Sequence, residues 1–246
     1  MRILVTGACG YKGTVLVPKL LAAGHTVTAL DTMWFGNFLE KTQAFYPGLT
    51  FIKGDVRDTD LIDLSGYDAI IHLASIANDP CGDLNPKLTW EVSVLATMQL
   101  AEKAVRAGVQ HFIYASSGSV YGISEELQVT ENVPLLPLSE YNKTKMCAER
   151  VLLSYAKKMN IQIVRPATVC GVSPRMRLDV SVNLLTMAAL TNQEIIVFGG
   201  EQVRPNIHID DITDLYLFLL EHPEIAGIFN AGFENMSILE IAQSVA

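Results

Sequence analysis

The chain has 246 residues, 50% of them hydrophobic and 18% charged, which suits one large domain or one domain plus a small lobe and excludes disorder, because burial on that scale offsets chain entropy. With 18 basic against 26 acidic side chains and a formal charge of -8, a general polyanion-binding surface is excluded, so an anionic ligand must be held by local donors. The four cysteines lie far apart without a Cys-x-x-Cys, Met1 to Gly7 is too short an apolar stretch for a signal peptide, and no apolar run approaches the roughly 20 residues of a membrane span; a cytoplasmic setting follows, with no metal, membrane or nucleic-acid partner.

In chain order, a β-rich run predicts a strand over Arg2–Thr6 and an apolar periodicity predicts a helix over Tyr11–Ala23. Between them stands Thr6-Gly7-Ala8-Cys9-Gly10-Tyr11-Lys12-Gly13. A strand-to-helix junction of this kind points free N–H groups and a positive dipole end at an anion, and glycines let a pyrophosphate approach the backbone. The spacing is Gly-x-x-Gly-x-x-Gly rather than Gly-x-Gly-x-x-Gly, so the dinucleotide fingerprint is met in context and not in letter. Lys12 either leans toward the pyrophosphate or is a solvated surface lysine, and the second is the expectation.

The next strand, Thr26–Leu30, is followed by Asp31, an acceptor for adenosine ribose hydroxyls that repels a 2′-phosphate and so selects NAD over NADP. Trp34 and Phe35 then either flank the adenine side or pack under their loop. Strands over Thr50–Lys53 and Ala69–His72 come next; Gly54-Asp55-Val56 is either an adenine contact or a polar turn. A helix over Pro86–Ala107, a strand over His111–Ala115, a helix over Ser139–Met159 and a strand over Gln162–Val164 complete an alternation that reads as βαβ units: an α/β, doubly wound parallel sheet. His72 and His208, at strand ends with no second ligand at metal spacing, read as structural.

Tyr141 and Lys145 share a helical face behind a Ser139 cap. A phenol near 10 is a poor base at neutral pH, but an ammonium and a nicotinamide cation favour its ionised form. Ser117 lies in Tyr114-Ala115-Ser116-Ser117-Gly118-Ser119-Val120-Tyr121-Gly122 at the carboxyl end of a strand, the edge where doubly wound sheets place ligands; its hydroxyl is suited to bond an alcohol oxygen.

After Arg165 the rhythm loosens into a Gly/Pro/Arg stretch over 171–179, a helix over Ser181–Thr191, a strand near Ile195–Phe198 and a loop over Gly199–Asn206. A helix over Asp210–Glu221, a strand over Ile225–Asn230 and a helix opened by Ser237 follow. That last helix has no Gly cap or basic last turn, from which a C-terminal lobe that stops short is expected.

These residues resemble the NAD-dependent epimerase/dehydratase family of extended short-chain dehydrogenases/reductases, in the manner of UDP-galactose 4-epimerase. The resemblance rests on Thr6–Gly13, Asp31, Gly54-Asp55-Val56-Arg57-Asp58, His72-Leu73-Ala74, Ser116-Ser117, Val120-Tyr121-Gly122, Tyr141-Asn142-Lys143-Thr144-Lys145 and Arg204 to Asp211. It implies a Rossmann fold over 1–170, with 207–231 returning to the sheet, and a small α+β substrate-binding lobe over 171–206 and 232–246. Ser117, Tyr141 and Lys145 become the catalytic set. NAD is lined by Gly7, Gly10, Tyr11, Lys12, Gly13, Asp31, Asp55, Val56, Leu73, Ala74, Ser75, Tyr141, Lys145 and Pro166. Ser117 and Thr168 meet the substrate, and Asn183 and Arg204 take the diphosphate of a nucleotide sugar.

The implied activity is nucleotide-sugar epimerisation through oxidation at C4, with a net 4-dehydrogenase or ketoreductase as alternative and a non-catalytic NAD-binding regulator as a further one. The helices over Pro86–Ala107 and Ser139–Met159 imply a homodimer. Family dehydratases carry Asp-Glu after the catalytic hydroxyl residue, where this chain has Gly118 and Ser119, so water elimination lacks its acid and base. Ser93 stands where many relatives have Asn, and Thr168 replaces another Asn. Arg175 and Arg177, in a run similar to a subgroup from surface-polysaccharide pathways, either reach sugar or phosphate or pair with Asp179.

Overall fold

A computed structural model describes residues 1–124, 126 and 128–246. The elements, in chain order, are β1 Arg2–Thr6, α1 Gly13–Ala22, β2 Thr26–Asp31, α2 Glu40–Phe45, β3 Leu49–Lys53, β4 Ala69–His72, α3 Asp79–Leu84, α4 Pro86–Trp90 and α5 Ala96–Ala107. They continue with β5 His111–Ala115, α6 Glu140–Leu153, β6 Asn160–Pro166, β7 Thr168–Cys170, α7 Ser181–Asn192, β8 Val203–His208, α8 Ile209–Glu221, β9 Gly227–Ala231, β10 Glu234–Ser237 and α9 Ile238–Val245.

Seven strands form one parallel sheet in the order β3-β2-β1-β4-β5-β6-β9. Its strands are apolar on both sides because both sides are covered. Ile3, Val5 and Ile113 face Leu16, Val17 and Leu20 of α1 and Ile212, Tyr216 and Leu219 of α8. Leu4, Ile70, Phe112 and Tyr114 face Ala96, Leu100 and Ala104 of α5 and Ala148 and Leu152 of α6. Because β1 pairs with β2 on one side and β4 on the other, the chain reverses its winding there, and a crevice opens at the carboxyl ends of these strands. This is the Rossmann-like α/β fold expected.

Several local expectations are corrected. The helix over Pro86–Ala107 is α4, a π-helical turn over Glu91–Leu95, and α5. Apolar periodicity does not register the widened turn. α3 precedes it, separated by Asn85, whose side chain accepts the Leu88 N–H at 3.1 Å to start α4 afresh. The strand near Ile195–Phe198 does not form; Ile196 and Phe198 are exposed with no partner strand among the described residues. The loop over Gly199–Asn206 instead contains most of β8, which lies between β10 and β7 in a second, three-stranded sheet. Pro205 masked this strand. It is tolerated because β7 begins pairing only at Asn206, leaving that side of Pro205 without a ladder to donate to. α7 and α9 pack on each other through Leu185, Ile241 and Ala242, and Ser237 starts α9 with a capping box to Glu240.

Candidate active site

The crevice floor is the loop from β1 to α1. Gly7 has φ 68°, and a Cβ there would stand 2.7 Å from the Ala74 nitrogen; one at Gly13 would stand 2.4 Å from the Ala8 carbonyl oxygen. Only glycine permits this closeness between the β1 and β4 ends and between the loop and α1. No side chain caps α1, and the backbone N–H groups of Tyr11 and Lys12 donate to no protein acceptor among the described residues. Asp31 accepts the Cys9 N–H at 2.9 Å and the Met33 N–H at 2.7 Å, so its carboxylate is held at the rim with lone pairs to spare.

Lys12 corrects the expectation of a solvated surface lysine. It is partly buried, and its ammonium forms no ion pair or hydrogen bond among the described residues and stands 5.9 Å from the Tyr216 ring centroid. Burial, with the charge of Arg177, lowers its ammonium to about 8.

The loop after β5 and the first turns of α6 form one wall. Lys145 is 2% exposed and donates to the Ala115 carbonyl at 2.7 Å, with its Nζ 5.8 Å from the Tyr141 ring centroid. Burial and the charge of Lys12 lower it to about 7, against which Glu149 acts. Burial pushes the Tyr141 phenol up, while the Ser117 hydroxyl and the Arg177 charge pull it back. Gly82 of α3 backs this tyrosine so closely that a Cβ would stand 3.1 Å from Tyr141 Cβ. Behind the wall, Arg165 (3% exposed) forms a two-pronged ion pair with Glu149 (1% exposed), with nitrogen–oxygen distances of 2.9 and 2.6 Å; Glu149 also accepts from Ser116. His72 is structural, as expected: Thr6 and Thr97 hydroxyls lie 2.6 and 2.9 Å from its ring nitrogens, and burial lowers it to about 3.

Residues 171–179 run as a strap along the crevice. Tyr11 donates its hydroxyl to the Gly171 carbonyl at 2.8 Å, and Ser173 donates to the Tyr11 carbonyl at 2.8 Å. Farther along, Arg177 pairs with Asp179 at 3.0 and 2.5 Å, holding that carboxyl at about 2, and Asn78 donates to Asp179 at 2.6 Å. Arg175 lies 3.9 Å over the centroid of Phe35, so Phe35, 64% exposed and not packed under its loop, is the strap's contact on the β2 side. Of the two alternatives for Arg177, pairing with Asp179 is realised, yet its charge still bears on Tyr141, Tyr11 and Lys12.

The remaining expected residues divide. Leu73, Ala74, Ser75 and Val56 follow the carboxyl ends of β4 and β3, and Pro166 closes β6 beside Gly118. Asp55 is engaged by the Arg57 guanidinium at 2.9 and 3.1 Å. Thr168 opens β7. Asn183 accepts the Gly171 N–H at 2.9 Å and donates to the Tyr11 hydroxyl and the Arg177 carbonyl at 3.1 and 2.9 Å, so its amide is spent on the strap rather than left open for a diphosphate. Arg204 is exposed on β8 and donates to Gln202 at 3.1 Å. Sequence reasoning missed the clasp of Arg175 on Phe35, the ion pair of Glu149 with Arg165, and the partners of Ser117.

A dinucleotide fits this crevice on the chain's own terms. Two ammonium groups, Lys12 and Lys145, face it without a carboxylate partner among the described residues, and the Tyr114 and Tyr216 hydroxyls are buried without partners. Uncompensated cations in a chain of formal charge -8 call for an anion, and unbonded N–H groups at a helix start supply its other donors.

The NAD dependent epimerase/dehydratase family matches residues 3–232. A UDP-glucose 4-epimerase of Mycolicibacterium smegmatis is 33% identical over 231 residues, covering 88% of this chain and 72% of that protein. One from Lactobacillus helveticus is 28% identical over 277 residues, covering 100% and 82%. Among solved structures, a UDP-glucuronic acid 4-epimerase from Bacillus cereus, in complex with UDP-glucuronic acid and NAD, superposes with a TM-score of 0.88 at 30% identity, covering 100% of this chain and 82% of that one.

Proposed function

Because the chain belongs to the NAD dependent epimerase/dehydratase family, we propose that it binds NAD and interconverts the C4 epimers of a nucleotide sugar, with UDP-sugars as the substrate class. The observation that supports this most is the convergence of Ser117, Tyr141 and Lys145 on a crevice floored by the glycine loop. The names of the relatives support the substrate class.

The N–H groups of Tyr11 and Lys12, with the Lys12 ammonium and the close glycines Gly7, Gly10 and Gly13, would hold the diphosphate. Asp31 would take ribose hydroxyls, Asp55 and Val56 would lie by the adenine, and Leu73, Ala74, Ser75 and Pro166 would line the rest. When bound, NAD would supply the hydride acceptor and donor for the sugar C4. Tyr141, ionised, takes the proton of the sugar O4 hydroxyl and gives it back on the return; Ser117 orients that oxygen. Lys145, whose Nζ lies 5.8 Å from the Tyr141 ring centroid, would favour the phenolate and hold the nicotinamide ribose. Epimerisation by this route would require the sugar to present both faces of C4 in turn. Thr168 and Arg204 are assigned to the nucleotide sugar, the guanidinium suiting a phosphate. Asn183 is assigned to the strap. Gly118 and Ser119 supply no carboxylate for eliminating water, which favours epimerisation over dehydration.

The test is a panel of UDP-sugars with added NAD, with products separated by chromatography. Wild type should yield the C4 epimer without net rise at the reduced-nicotinamide band, and Tyr141→Phe should bind NAD with unchanged affinity but show no turnover. A net rise would assign a 4-dehydrogenase instead; neither product nor NAD binding across the panel would overturn the reading. A homodimer through α5 and α6 is proposed alongside, supported by the exposed Leu95 and Met98 on that flank; light scattering showing a monomer would refute it.

A further inference from the structure

Ser117 is the first member of a chain of polar groups. Its Oγ lies 2.7 Å from Ser119 Oγ and accepts the Ser119 N–H at 3.2 Å. Ser119 donates in turn to Oδ1 of Asn142, the residue after Tyr141, which is 5% exposed. Asn142 is anchored by its backbone, whose N–H donates to the capping Ser139 hydroxyl at 3.1 Å. The loop after β5 and the start of α6, which carry the Ser117 and Tyr141 hydroxyls, are thereby tied together.

Counting protons gives the chain a direction. Each serine has one. With the Ser119 proton committed to Asn142, the Ser117 proton points at Ser119 Oγ, which leaves a Ser117 lone pair free for the Tyr141 phenol on which this hydroxyl bears. That polarity accepts from a neutral phenol. An amide turned end for end presents Nδ2 in place of Oδ1. Ser119 then accepts from Asn142 and donates to Ser117, whose own proton is released toward a phenolate. The Asn142 side chain makes no other hydrogen bond among the described residues, so the turn breaks none. Each link from Ser117 to Asn142 is made in both polarities, and the amide neither gains nor loses a proton.

We propose that Ser119 is a positioning residue which, with Asn142, lets Ser117 accept from Tyr141 when the phenol is protonated and donate to it when it is ionised. The inference rests on the reading of Tyr141 as the base. The groups facing Tyr141 are Lys145 on its own helix, Asp79 of α3, Arg177 of the strap, Tyr114 of β5 and Tyr216 of α8, and none of them is altered by a change at Ser119.

The experiment follows Tyr141 directly. The full chain is prepared with ¹³C at tyrosine Cζ, whose resonance reports ionisation, and titrated with and without NAD; Tyr141 is assigned by the signal lost in Tyr141→Phe. A hydrogen bond donated to a phenolate is charge-assisted and stronger than one accepted from the neutral phenol, so losing the support of Ser119 weighs most on the ionised form; Ser119→Ala should raise the Tyr141 midpoint by about one pH unit, about tenfold in its ionisation constant. Ser119→Thr, which keeps the hydroxyl, should restore the wild-type midpoint, and Asn142→Ala should raise it in the same direction. Wild-type midpoints in Ser119→Ala and Asn142→Ala, or a Ser119→Thr variant that behaves like Ser119→Ala, would overturn the inference. NAD affinity is measured on the same samples. Its absence in wild type would count against the proposed function, while the titration of the unliganded chain would still decide the role of Ser119.

Discussion

Replacing Lys12 with Met tests the charge arrangement of the crevice most sharply. In the free chain, burial and the Arg177 charge hold the Lys12 ammonium at about 8 instead of 10.5. A bound diphosphate supplies the missing counter-charge and raises that value. A group whose pKa rises on binding contributes fully to affinity below its free-state value and loses its contribution as pH climbs past it. NAD affinity should therefore be flat below about pH 8 on account of this group and fall above it. At about pH 9, charging Lys12 costs about 1.4 kcal/mol, roughly tenfold in Kd. Lys145, lowered to about 7 by burial and in part by the Lys12 charge, acts with the same sign one unit earlier in wild type and shifts upward in the variant, which widens the difference between the two proteins. Calorimetry of NAD binding in two buffers of different ionisation enthalpy measures the protons taken up. Near pH 8.5, wild type should take up more than Lys12→Met by at least about three quarters of a proton. Equal uptake and equal pH slopes in the two proteins would refute the placement of Lys12 against the diphosphate.

Gly13→Ala puts a methyl 2.4 Å from the Ala8 carbonyl oxygen, a backbone atom that cannot swing aside; overpacking of about 1–3 kcal/mol should lower the melting temperature, and the displaced loop should weaken NAD at least about tenfold by calorimetry. Unchanged affinity would show that this loop does not cradle the cofactor. Glu149→Ala leaves the Arg165 guanidinium, 3% exposed, without its counter-charge; denaturant unfolding should show a loss of about 3–5 kcal/mol, and a loss near zero would contradict the buried pair's role. Arg175→Ala releases the clasp on Phe35 and should speed NAD dissociation in stopped flow by about two- to fivefold, the worth of an exposed cation–π contact of about 0.5–1 kcal/mol. Phe35→Ala should do the same, with no further gain in the double variant; additive effects would mean that the two act separately.

Most of the central sheet was legible in the sequence because each of its strands carries its own signal. β1, β4 and β5 are short apolar runs buried on both faces, and the Ser139 cap together with the spacing of Tyr141 and Lys145 marks α6 and its working face. β7, β8 and β10 were not legible. They are short, polar or interrupted by Pro205, and they exist because they pair with each other. The fate of charged side chains was hidden for a related reason. Nothing local distinguishes Lys12 from a solvated lysine at a helix start; its burial comes from Tyr216 of α8 and the strap, far along the chain. Asn183 looked like a phosphate ligand until Tyr11, Gly171 and Arg177 claimed its amide.

Local pattern thus decides which elements form, where the glycine loop must turn and which hydroxyl, phenol and ammonium can do chemistry, since propensity, capping and pleat act over a few neighbouring residues. The order of strands, the strap that carries Arg177 to Tyr141, the lowering of Lys12 and Lys145, and the polarity of the chain from Ser117 to Asn142 belong to the tertiary structure. Desolvation and Coulomb interaction depend on which atoms surround a group in space, and here those atoms come from residues more than a hundred positions away, as between Tyr11 and Gly171.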